Sequence, residues 1–217
     1  PADVTGEVLA TAKGFLRDNI SWQPTVFQHA EPWVDAELHR LLREPCVYEV
    51  ASQLLGSQAR IYYGMLAIVR AGGGHGLPWH QDNMYSQILG GALNIFIALD
   101  DITADMGNLH VSPRSHLSGV QASTAAKSEF AAGHAEAVIE PTNGMCLPDL
   151  KAGDACIFDR NTLHRSSQNK TDRNRFAYAA QFQADHAREA DSGRLDAGRM
   201  RAIDLQDMID QAAIHQA

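Results

Sequence analysis

The stretch Trp79-His80-Gln81-Asp82-Asn83 places an imidazole and a carboxylate two residues apart. It follows an apolar run that begins at Ile61 and a break that is rich in glycine. In an extended strand, residues i and i+2 project from the same face. We therefore expect His80 and Asp82 to point in the same direction, where they could hold two neighbouring positions around one metal ion.

A third metal ligand has to come from another part of the chain, and His164 is the candidate. It follows a second apolar strand, predicted over Ala155 to Phe158. Two histidines and one carboxylate on one face of a metal, with the remaining positions open, are typical of non-haem Fe(II) oxygenases. The chain has 10 histidines, and an isolated His-x-Asp is more often a surface turn or a hydrogen-bonded core pair. The metal site is therefore a hypothesis that depends on the residues around it.

The composition is ordinary for a globular protein, since 45% of the 217 residues are hydrophobic and 20% are charged. A chain of this length fits one domain and can bury a sizeable core. The net charge of -8 argues against nucleic acid as a partner, because a nucleic-acid surface would need clustered basic residues.

The number and spacing of the cysteines indicate the redox conditions of the cellular compartment. Cys46, Cys146 and Cys156 are odd in number and include no Cys-x-x-Cys pair, so they predict neither a disulfide framework nor a thiolate zinc site. We expect reduced, buried thiols in a cytoplasmic protein. No apolar run approaches the roughly 18 residues that would span a bilayer, so no membrane partner is expected. The choice between a monomer and an oligomer stays open.

Residues 1–56 carry a helical pattern and no chemical motif. Apolar residues from Val4 to Leu16 recur at three- and four-residue spacing, which gives a helix an apolar stripe. Further helices are predicted from Pro32 to Arg43 and from Cys46 to Leu55, and Gly56 would end the last one. We expect these helices to buttress a sheet.

Residues 57–183 have the pattern of a mainly β protein. Short apolar runs alternate with turn residues, and this alternation predicts a barrel or a sandwich. The predicted strands are Ile61–Arg70, Leu93–Leu99, Leu109–Val111, Ala155–Phe158 and Arg175–Phe182.

Two other segments interrupt or follow these strands. Residues 117–144 are rich in alanine, serine and glycine, and we interpret them as an insertion and candidate lid with one short helix around Ser123 to Ala132. Residues 184–217 are predicted to form a helical tail, with a helix from Ala202 to Ala213. The whole chain, 1–217, would form a single domain.

Arg175 is the second informative feature of the sequence. It lies eleven residues after His164, across a polar turn and near the start of the next strand. A guanidinium binds a carboxylate through two parallel hydrogen bonds, and Ser166 could add a hydroxyl to the same carboxylate. A metal site with such an anion anchor is what a chelating 2-oxo diacid requires. Considered alone, an arginine at this position is more often part of an ordinary ion pair.

Further motifs accompany these residues in a fixed order along the chain. The full set is Trp79-His80-Gln81-Asp82, Ala98-Leu99-Asp100-Asp101, Gly107-Asn108-Leu109, Pro113-Arg114-Ser115-His116, Gly153-Asp154, His164-x-Ser166 and Arg175. Taken together, these residues resemble the phytanoyl-CoA dioxygenase family of Fe(II)- and 2-oxoglutarate-dependent oxygenases, over about residues 41–183.

The sequence departs from the family at Arg114, where the family usually has glycine, and at Arg165, where glycine commonly follows the distal histidine. Both departures lie in loops, so they bear on the substrate and not on the reaction class.

The resemblance implies a double-stranded β-helix (a cupin-like jelly roll) with flanking N-terminal helices packed on one sheet. It implies that His80, Asp82 and His164 hold Fe(II). The 2-oxo acid end of 2-oxoglutarate would chelate this iron, and its far carboxylate would bind Arg175 and Ser166. One coordination position would remain for O2.

Other roles implied by the resemblance are weaker. Asn94 matches a position that often contacts the cosubstrate, and Tyr63 shares the parity of inward residues on the first strand, although a core role is at least as common for it. The reaction would oxidise a C–H bond of a small-molecule substrate and release succinate and CO2, and the carboxylate of Asp82 favours hydroxylation over halogenation. Arg114 and Arg160 could meet an acidic group of the substrate, although packing or a solvated charge is the more common role for such residues.

Two alternatives from other functional classes stay open. A cupin-like metal-dependent isomerase or hydrolase without oxygen chemistry would keep His80, Asp82 and His164, but it would not use Arg175 to bind a cosubstrate. A non-catalytic sensor or structural barrel would bury the histidines as satisfied core residues. Binding of 2-oxoglutarate under nitrogen separates the first alternative from an oxygenase, and metal analysis tests the second.

Overall fold

The computed structural model describes residues 2–18, 40–128 and 131–194. Its helices are α1 (Ala2–Asp18) and α2 (Pro45–Leu55), with 3-10 turns at Arg40–Arg43, Asp82–Met84 and Ser115–Ser118. Its strands are β1 (Ala59–Val69), β2 (Ile88–Leu89), β3 (Ala92–Ala98), β4 (Leu109–Val111), β5 (Ser123–Ala125), β6 (Ala135–Ala137), β7 (Met145–Cys146), β8 (Ala155–Asp159), β9 (His164–Ser166), β10 (Arg175–Ala184) and β11 (Arg188–Glu189).

Two antiparallel sheets form the body of the fold. The larger sheet has the strand order β1-β10-β3-β8, and the smaller has the order β7-β4-β9. An antiparallel bridge between His80 and His164 adds the His80 stretch beside β9. This arrangement is the cupin-like double-stranded β-helix that the family resemblance implied, and the mainly β prediction is confirmed.

The larger sheet separates two hydrophobic cores because alternate residues of a strand point to opposite faces. On one face, Leu66 and Phe182 belong to a core that includes Val8 of α1 and Ala51 of α2. On the other face, a second core lies between the two sheets, and the metal-ligand candidates lie on this side. The sheet residues of the second core include Ala67, Phe96, Phe158 and Ala177, and Leu109 joins them from the smaller sheet.

Two of the three helices predicted in the first 56 residues are confirmed. α1 covers the predicted stripe from Val4 to Leu16, and α2 ends at Gly56, which has a left-handed φ of 64°. The helix predicted from Pro32 to Arg43 lies mostly outside the described residues, and its described end, Arg40–Arg43, is a 3-10 turn. No described helix combines the length and apolar character needed to cross a membrane.

The short helix predicted around Ser123 to Ala132 is wrong over residues 123–128, the first part of it that the structure describes. Ser123–Ala125 is strand β5, which pairs with β6. The backbone N–H of Ala137 in β6 also donates to the carbonyl of Trp79 at 2.7 Å. These partners come from other parts of the fold, and they outweigh the weak local helix preference of an alanine-rich stretch.

The predicted helical tail is also wrong for the residues that the structure describes. β10 continues to Ala184, and residues 188–189 form β11, which pairs with β2. Ala184 and Ala187 pack against Ile88 in a small core, and this packing favours the extended strand. The remainder of the tail, including the predicted helix from Ala202 to Ala213, lies outside the described residues. The single-domain division of the chain stays a prediction.

Arg114 is strained, and its replacement by glycine should stabilise the protein. Its φ is 65°, and it is the one non-glycine residue with a positive φ among those described. Left-handed backbone costs a residue with a Cβ roughly 1–3 kcal/mol, whereas glycine adopts it freely but loses more entropy on folding. We expect Arg114→Gly to raise the free energy of unfolding by about 0.5–1 kcal/mol, measured by urea denaturation.

Gly119 provides the matched control with the opposite sign. Its backbone (φ 68°, ψ -163°) is accessible essentially only to glycine, and a Cβ there would meet nothing within 4 Å. Gly119→Ala should therefore lower the free energy of unfolding through backbone strain alone. Equal stability of the wild type and Arg114→Gly would show that contacts of the arginine side chain offset the strain.

Candidate metal centre

The three predicted metal ligands meet at one point between the sheets. One ligand atom from each of His80, Asp82 and His164 lies within 4.8 Å of the other two. The residues are only 4%, 7% and 6% exposed, respectively. His164 Nε2 lies 3.8 Å from Asp82 Oδ1, and the two imidazole centroids are 4.2 Å apart.

Backbone pairing places the two imidazoles side by side. The N–H of His80 donates to the carbonyl of His164, and the N–H of His164 donates to the carbonyl of His80, both at 2.9 Å. In an antiparallel pair, two residues that exchange both bonds lie directly opposite each other, with their side chains on the same face. Distant parts of the sequence therefore deliver two nitrogen ligands to one location.

Each imidazole is oriented by a carbonyl two residues before it. His80 Nδ1 lies 2.8 Å from the carbonyl of Pro78, and His164 Nδ1 lies 2.9 Å from the carbonyl of Thr162. A carbonyl can only accept, so Nδ1 is the donor in each contact, and Nε2 is the ring nitrogen left to face a metal. Burial and the neighbouring His164 lower the pKa of His80 to about 3, so its imidazole is neutral at pH 7.

Asp82 begins a 3-10 turn immediately after the His80 bridge. Burial by itself would raise the pKa of its carboxyl group, but His164, Arg160 and His80 together bring the pKa below its usual value. Asn94 Nδ2 also donates to Asp82 Oδ2 at 3.2 Å. The carboxylate is therefore ionised and oriented. Two imidazoles and one carboxylate form a donor set that fits Fe(II).

The three ligand candidates border a cavity of about 590 Å³. This volume is in the range of small-molecule sites. Both sheets contribute to its wall, and so does the insertion at residues 117–144. Besides the three ligand candidates, the wall includes Tyr62, Tyr63, Met65, Leu77, Tyr85, Ser86, Asn94, Phe96, His134, Phe158, Arg160, Ser166, Arg175 and Gln181.

Arg175 is a buried cation at this cavity. It is 1% exposed, and its Nη1 donates to the carbonyl of Gly107 at 2.8 Å and to Ser166 Oγ at 3.5 Å. Its guanidinium lies 5.4 Å from the centre of the Phe96 ring. Burial lowers the pKa of Arg175 to about 10, which leaves it charged at pH 7.

No carboxylate pairs with Arg175 within the described part of the chain, and its Nε has no hydrogen-bond partner there. A buried charge without a counterion is costly. The cavity therefore presents a positive charge suited to an anion, with the hydroxyl of Ser166 beside it. This placement agrees with the predicted anchor for a 2-oxo diacid.

Asn94 and Tyr63 both line the cavity. Asn94 Oδ1 is buried without a hydrogen-bond partner among the described residues, although its amide nitrogen binds Asp82. Burial, with a smaller effect of Tyr62, raises the pKa of Tyr63, so its hydroxyl is protonated at pH 7. Their contact with a cosubstrate stays a prediction.

The two arginines that the sequence suggested as substrate contacts, Arg114 and Arg160, lie in different environments. Arg114 is exposed and is not part of the cavity wall. Arg160 is part of the wall, but it is buried and hydrogen-bonded to several protein oxygens. The sequence suggested that Arg160 lies at the substrate site, but it did not indicate these hydrogen-bond partners.

Sequence reasoning missed His134, which the insertion brings to the cavity. Tyr85 Oη lies 3.2 Å from His134 Nδ1 and accepts the N–H of Ala135 at 3.2 Å. The Tyr85 ring is also edge-on to the ring of His80, with centroids 5.8 Å apart. No motif surrounds His134, and the incorrect helix prediction obscured the hairpin that positions it.

Among curated proteins, the chain is 32% identical over 151 residues to L-proline trans-4-hydroxylase of Streptomyces griseoviridis. The alignment covers 60% of this chain and 56% of the relative, so the chain spans little more than half the length of that relative.

Three solved structures illustrate the similarity of fold. The apo form of the non-heme monooxygenase ThoJ matches with a TM-score of 0.72 and 20% identity, over 99% of this chain and 93% of that one. EvdO2 from Micromonospora carbonacea var. aurantiaca, complexed with 2-oxoglutarate, matches with a TM-score of 0.70 and 23% identity, over 88% and 86%. The epimerase SnoN in complex with Fe3+, alpha ketoglutarate and nogalamycin RO matches with a TM-score of 0.64 and 21% identity, over 85% and 77%.

The family assignment rests on a match across most of the chain. The model of the phytanoyl-CoA dioxygenase (PhyH) family aligns with residues 6–177. This span contains most of α1, the smaller sheet, the other three strands of the larger sheet with the start of β10, the three ligand candidates and Arg175. The chain therefore belongs to the phytanoyl-CoA dioxygenase family.

Proposed function

We propose that this protein is an Fe(II)- and 2-oxoglutarate-dependent oxygenase that hydroxylates, or otherwise oxidises, a C–H bond of a small molecule. The observation that carries the proposal is the shared cavity. It contains the His80, Asp82 and His164 cluster and also a buried guanidinium, Arg175, without a carboxylate partner in the described part of the chain. Family membership supports the same chemistry.

The protein's own contribution is binding, orientation and exclusion of water. His80, Asp82 and His164 would hold the metal, while Arg175 and Ser166 would bind the far carboxylate of the cosubstrate. When bound, iron and 2-oxoglutarate supply the oxidising chemistry, with O2 consumed and succinate and CO2 released. The apolar side chains of Phe96, Phe158 and others around the cavity limit the access of water to this chemistry.

Arg175 favours this function over a cupin-like isomerase or hydrolase. A metal-dependent enzyme that binds neither a diacid cosubstrate nor an anionic substrate has no need of a buried, unpaired cation at the cavity wall. Such a cation is costly in the absence of an anion, whereas a bound carboxylate would offset the cost through charge-assisted hydrogen bonds.

The substrate is a small molecule on this proposal, and free amino acids are the first class to test. The support is the relative from Streptomyces griseoviridis, which is an L-proline trans-4-hydroxylase. The wall next to the metal-ligand candidates includes hydrogen-bonding side chains that suit a polar substrate, namely those of Tyr85, Ser86, His134 and Gln181. L-proline and related cyclic amino acids would be screened for an increase in succinate release, with O2 and 2-oxoglutarate present.

Loss of one metal ligand should abolish turnover. Asp82→Ala and His164→Ala should each reduce O2-dependent succinate formation by at least about 100-fold, because each removes one of three ligands. Succinate would be quantified with iron, 2-oxoglutarate and O2 supplied. Arg173→Ala is the control, because this side chain is exposed and pairs with Asp100 away from the cavity. Full succinate formation by either ligand variant would refute the ligand assignment.

Loss of the Arg175 guanidinium should weaken cosubstrate binding. Arg175→Met keeps much of the side-chain volume but removes the charge, and we expect the affinity for 2-oxoglutarate to fall at least about 30-fold. The measurement is calorimetry under nitrogen with metal-saturated protein. Metal affinity should remain near that of the wild type because Arg175 is not a ligand candidate. Undiminished binding by the variant would refute the assignment of Arg175 as the anchor. No binding by the wild type would favour the isomerase or hydrolase alternative.

The same substitution should stabilise the protein in the absence of 2-oxoglutarate. Arg175→Met removes an uncompensated buried charge, so the free energy of unfolding should rise by about 1 kcal/mol or more. Added 2-oxoglutarate should then stabilise the metal-loaded wild type but not the variant. Arg173→Met, at an exposed ion pair, should change stability by less than about 0.5 kcal/mol. A clear loss of stability in Arg175→Met would show that protein groups already compensate the charge.

A further inference from the structure

Arg160 is a second buried arginine at the cavity, and it differs from Arg175 in its partners. It directly follows β8 and is 3% exposed. Nε donates to Asn83 Oδ1 at 3.0 Å and Nη1 donates to Gln181 Oε1 at 2.5 Å. Nη2 donates to the carbonyls of Asp82 at 3.1 Å and Ser86 at 3.2 Å. A guanidinium has five N–H groups, and all four of these contacts are to protein oxygens.

Three of the four contacts go to the segment that carries the candidate metal ligand Asp82. This segment begins with a 3-10 turn of only three residues, so few of its own backbone bonds fix its position. Arg160 binds the carbonyl of Asp82 itself, the side chain of Asn83 and the carbonyl of Ser86. The backbone contributes as well, because the N–H of Asn83 donates to the carbonyl of Arg160 at 3.3 Å.

The other contacts of Arg160 connect this turn to the larger sheet. Gln181 lies in β10, the backbone N–H of Arg160 donates to the carbonyl of Ala92 at the start of β3, and the Tyr62 ring in β1 lies 4.4 Å from the guanidinium carbon. A cation over an aromatic face is held electrostatically. The guanidinium is therefore held by two strands, β10 and β1, on one side and binds the turn on the other, while β3 holds the backbone of Arg160.

Asp82 is consequently held at both ends. Arg160 binds its backbone carbonyl, while Asn94 of β3 donates to Oδ2 of its carboxylate. These contacts leave Oδ1 near His164 Nε2, at 3.8 Å, in the position that a shared metal ion requires. Partners that orient a ligand are a general determinant of metal affinity.

We infer that Arg160 is a positioning residue for the metal ligand Asp82 and does not serve as an anion anchor for the substrate. The inference rests on the proposed function in so far as the site binds a divalent metal. A substrate anchor would need free donors directed at the ligand, whereas Arg160 commits most of its donors to protein oxygens.

The test is metal affinity, measured with Co(II) alone under nitrogen through its visible absorption bands. Arg160→Gln should weaken the Co(II) affinity by about 10- to 100-fold and alter the intensity of the bands, because the ligand geometry changes. Arg160→Lys keeps the charge, but a single ammonium cannot reach all four acceptors, so it should weaken binding as well. The 2-oxoglutarate affinity of the metal-saturated variants should stay within about threefold of the wild type, because Arg175 is intact.

Two further variants keep the test decisive. Gln181→Met removes one acceptor of Arg160 without touching the turn, and it should weaken Co(II) binding by about three- to tenfold even if the Arg160 variants fold poorly. Arg173→Gln, an exposed arginine away from the cavity, should leave the Co(II) affinity unchanged. Near-ultraviolet circular dichroism of each apoprotein shows whether the variant is folded.

The outcomes separate this inference from the proposed function. If the folded variants bind Co(II) as tightly as the wild type, Arg160 does not position Asp82. A lower thermal midpoint without weaker Co(II) binding would then assign it a purely structural role, and a raised KM for the substrate would make it a substrate anchor. If the wild type itself binds no divalent ion, the proposed function fails together with the inference.

Discussion

The reciprocal pair of backbone hydrogen bonds between His80 and His164 is the constraint on which the site depends. A shift of one residue in strand pairing would turn a side chain to the opposite face, and the two imidazoles would then separate. Neighbouring bonds hold the register, because Ser166 N–H donates to the carbonyl of Leu77 and Ser112 N–H donates to the carbonyl of Leu163. The smaller sheet therefore determines the geometry of the nitrogen ligands, and the larger sheet supplies Asn94, Arg175 and Gln181, one of the partners of Arg160.

The two buried arginines show that hydrogen-bond partners, and not burial, distinguish the roles of similar residues. Both Arg160 and Arg175 line the cavity and are almost completely enclosed. Arg160 is surrounded by carbonyl and amide oxygens of the protein, which accept hydrogen bonds from its guanidinium. Arg175 donates to Gly107 and Ser166 and retains an Nε without a partner in the described part of the chain. Arg175 therefore has more donors to offer a ligand than Arg160 has.

The sequence predicted those parts of the site that have a local pattern. The i, i+2 spacing of His80 and Asp82 and the position of Arg175 near a strand start follow from the alternation of side chains along a strand. The strands of the larger sheet were predictable from their short apolar runs, which are bounded by turn residues. The structure brings His164 and Ser166 to the cavity as expected, although their proximity required the family resemblance as well as strand periodicity.

The partners of Arg160 and the hairpin of β5 and β6 were beyond prediction because both depend on tertiary contacts. Nothing in the spacing of Asn83, Ser86 and Gln181 relates them to Arg160. For the hairpin, local composition favoured a helix, whereas Ala137 N–H bonds to Trp79 and so stabilises an extended strand.

Trp79 connects the insertion to the metal-ligand candidates. It immediately precedes His80, and it packs with Ala137 of the insertion and with Leu163, which immediately precedes His164. A Cβ on Gly144 would lie 2.5 Å from the Trp79 ring, so the insertion also approaches the indole as closely as only glycine allows. The base of the insertion is therefore fixed to the residues before both histidines. Tyr85 binds both His134 and Ala135, so the insertion forms part of the wall of the site. Sequence changes in the insertion would therefore affect the segments that contain His80 and His164 as well as the cavity.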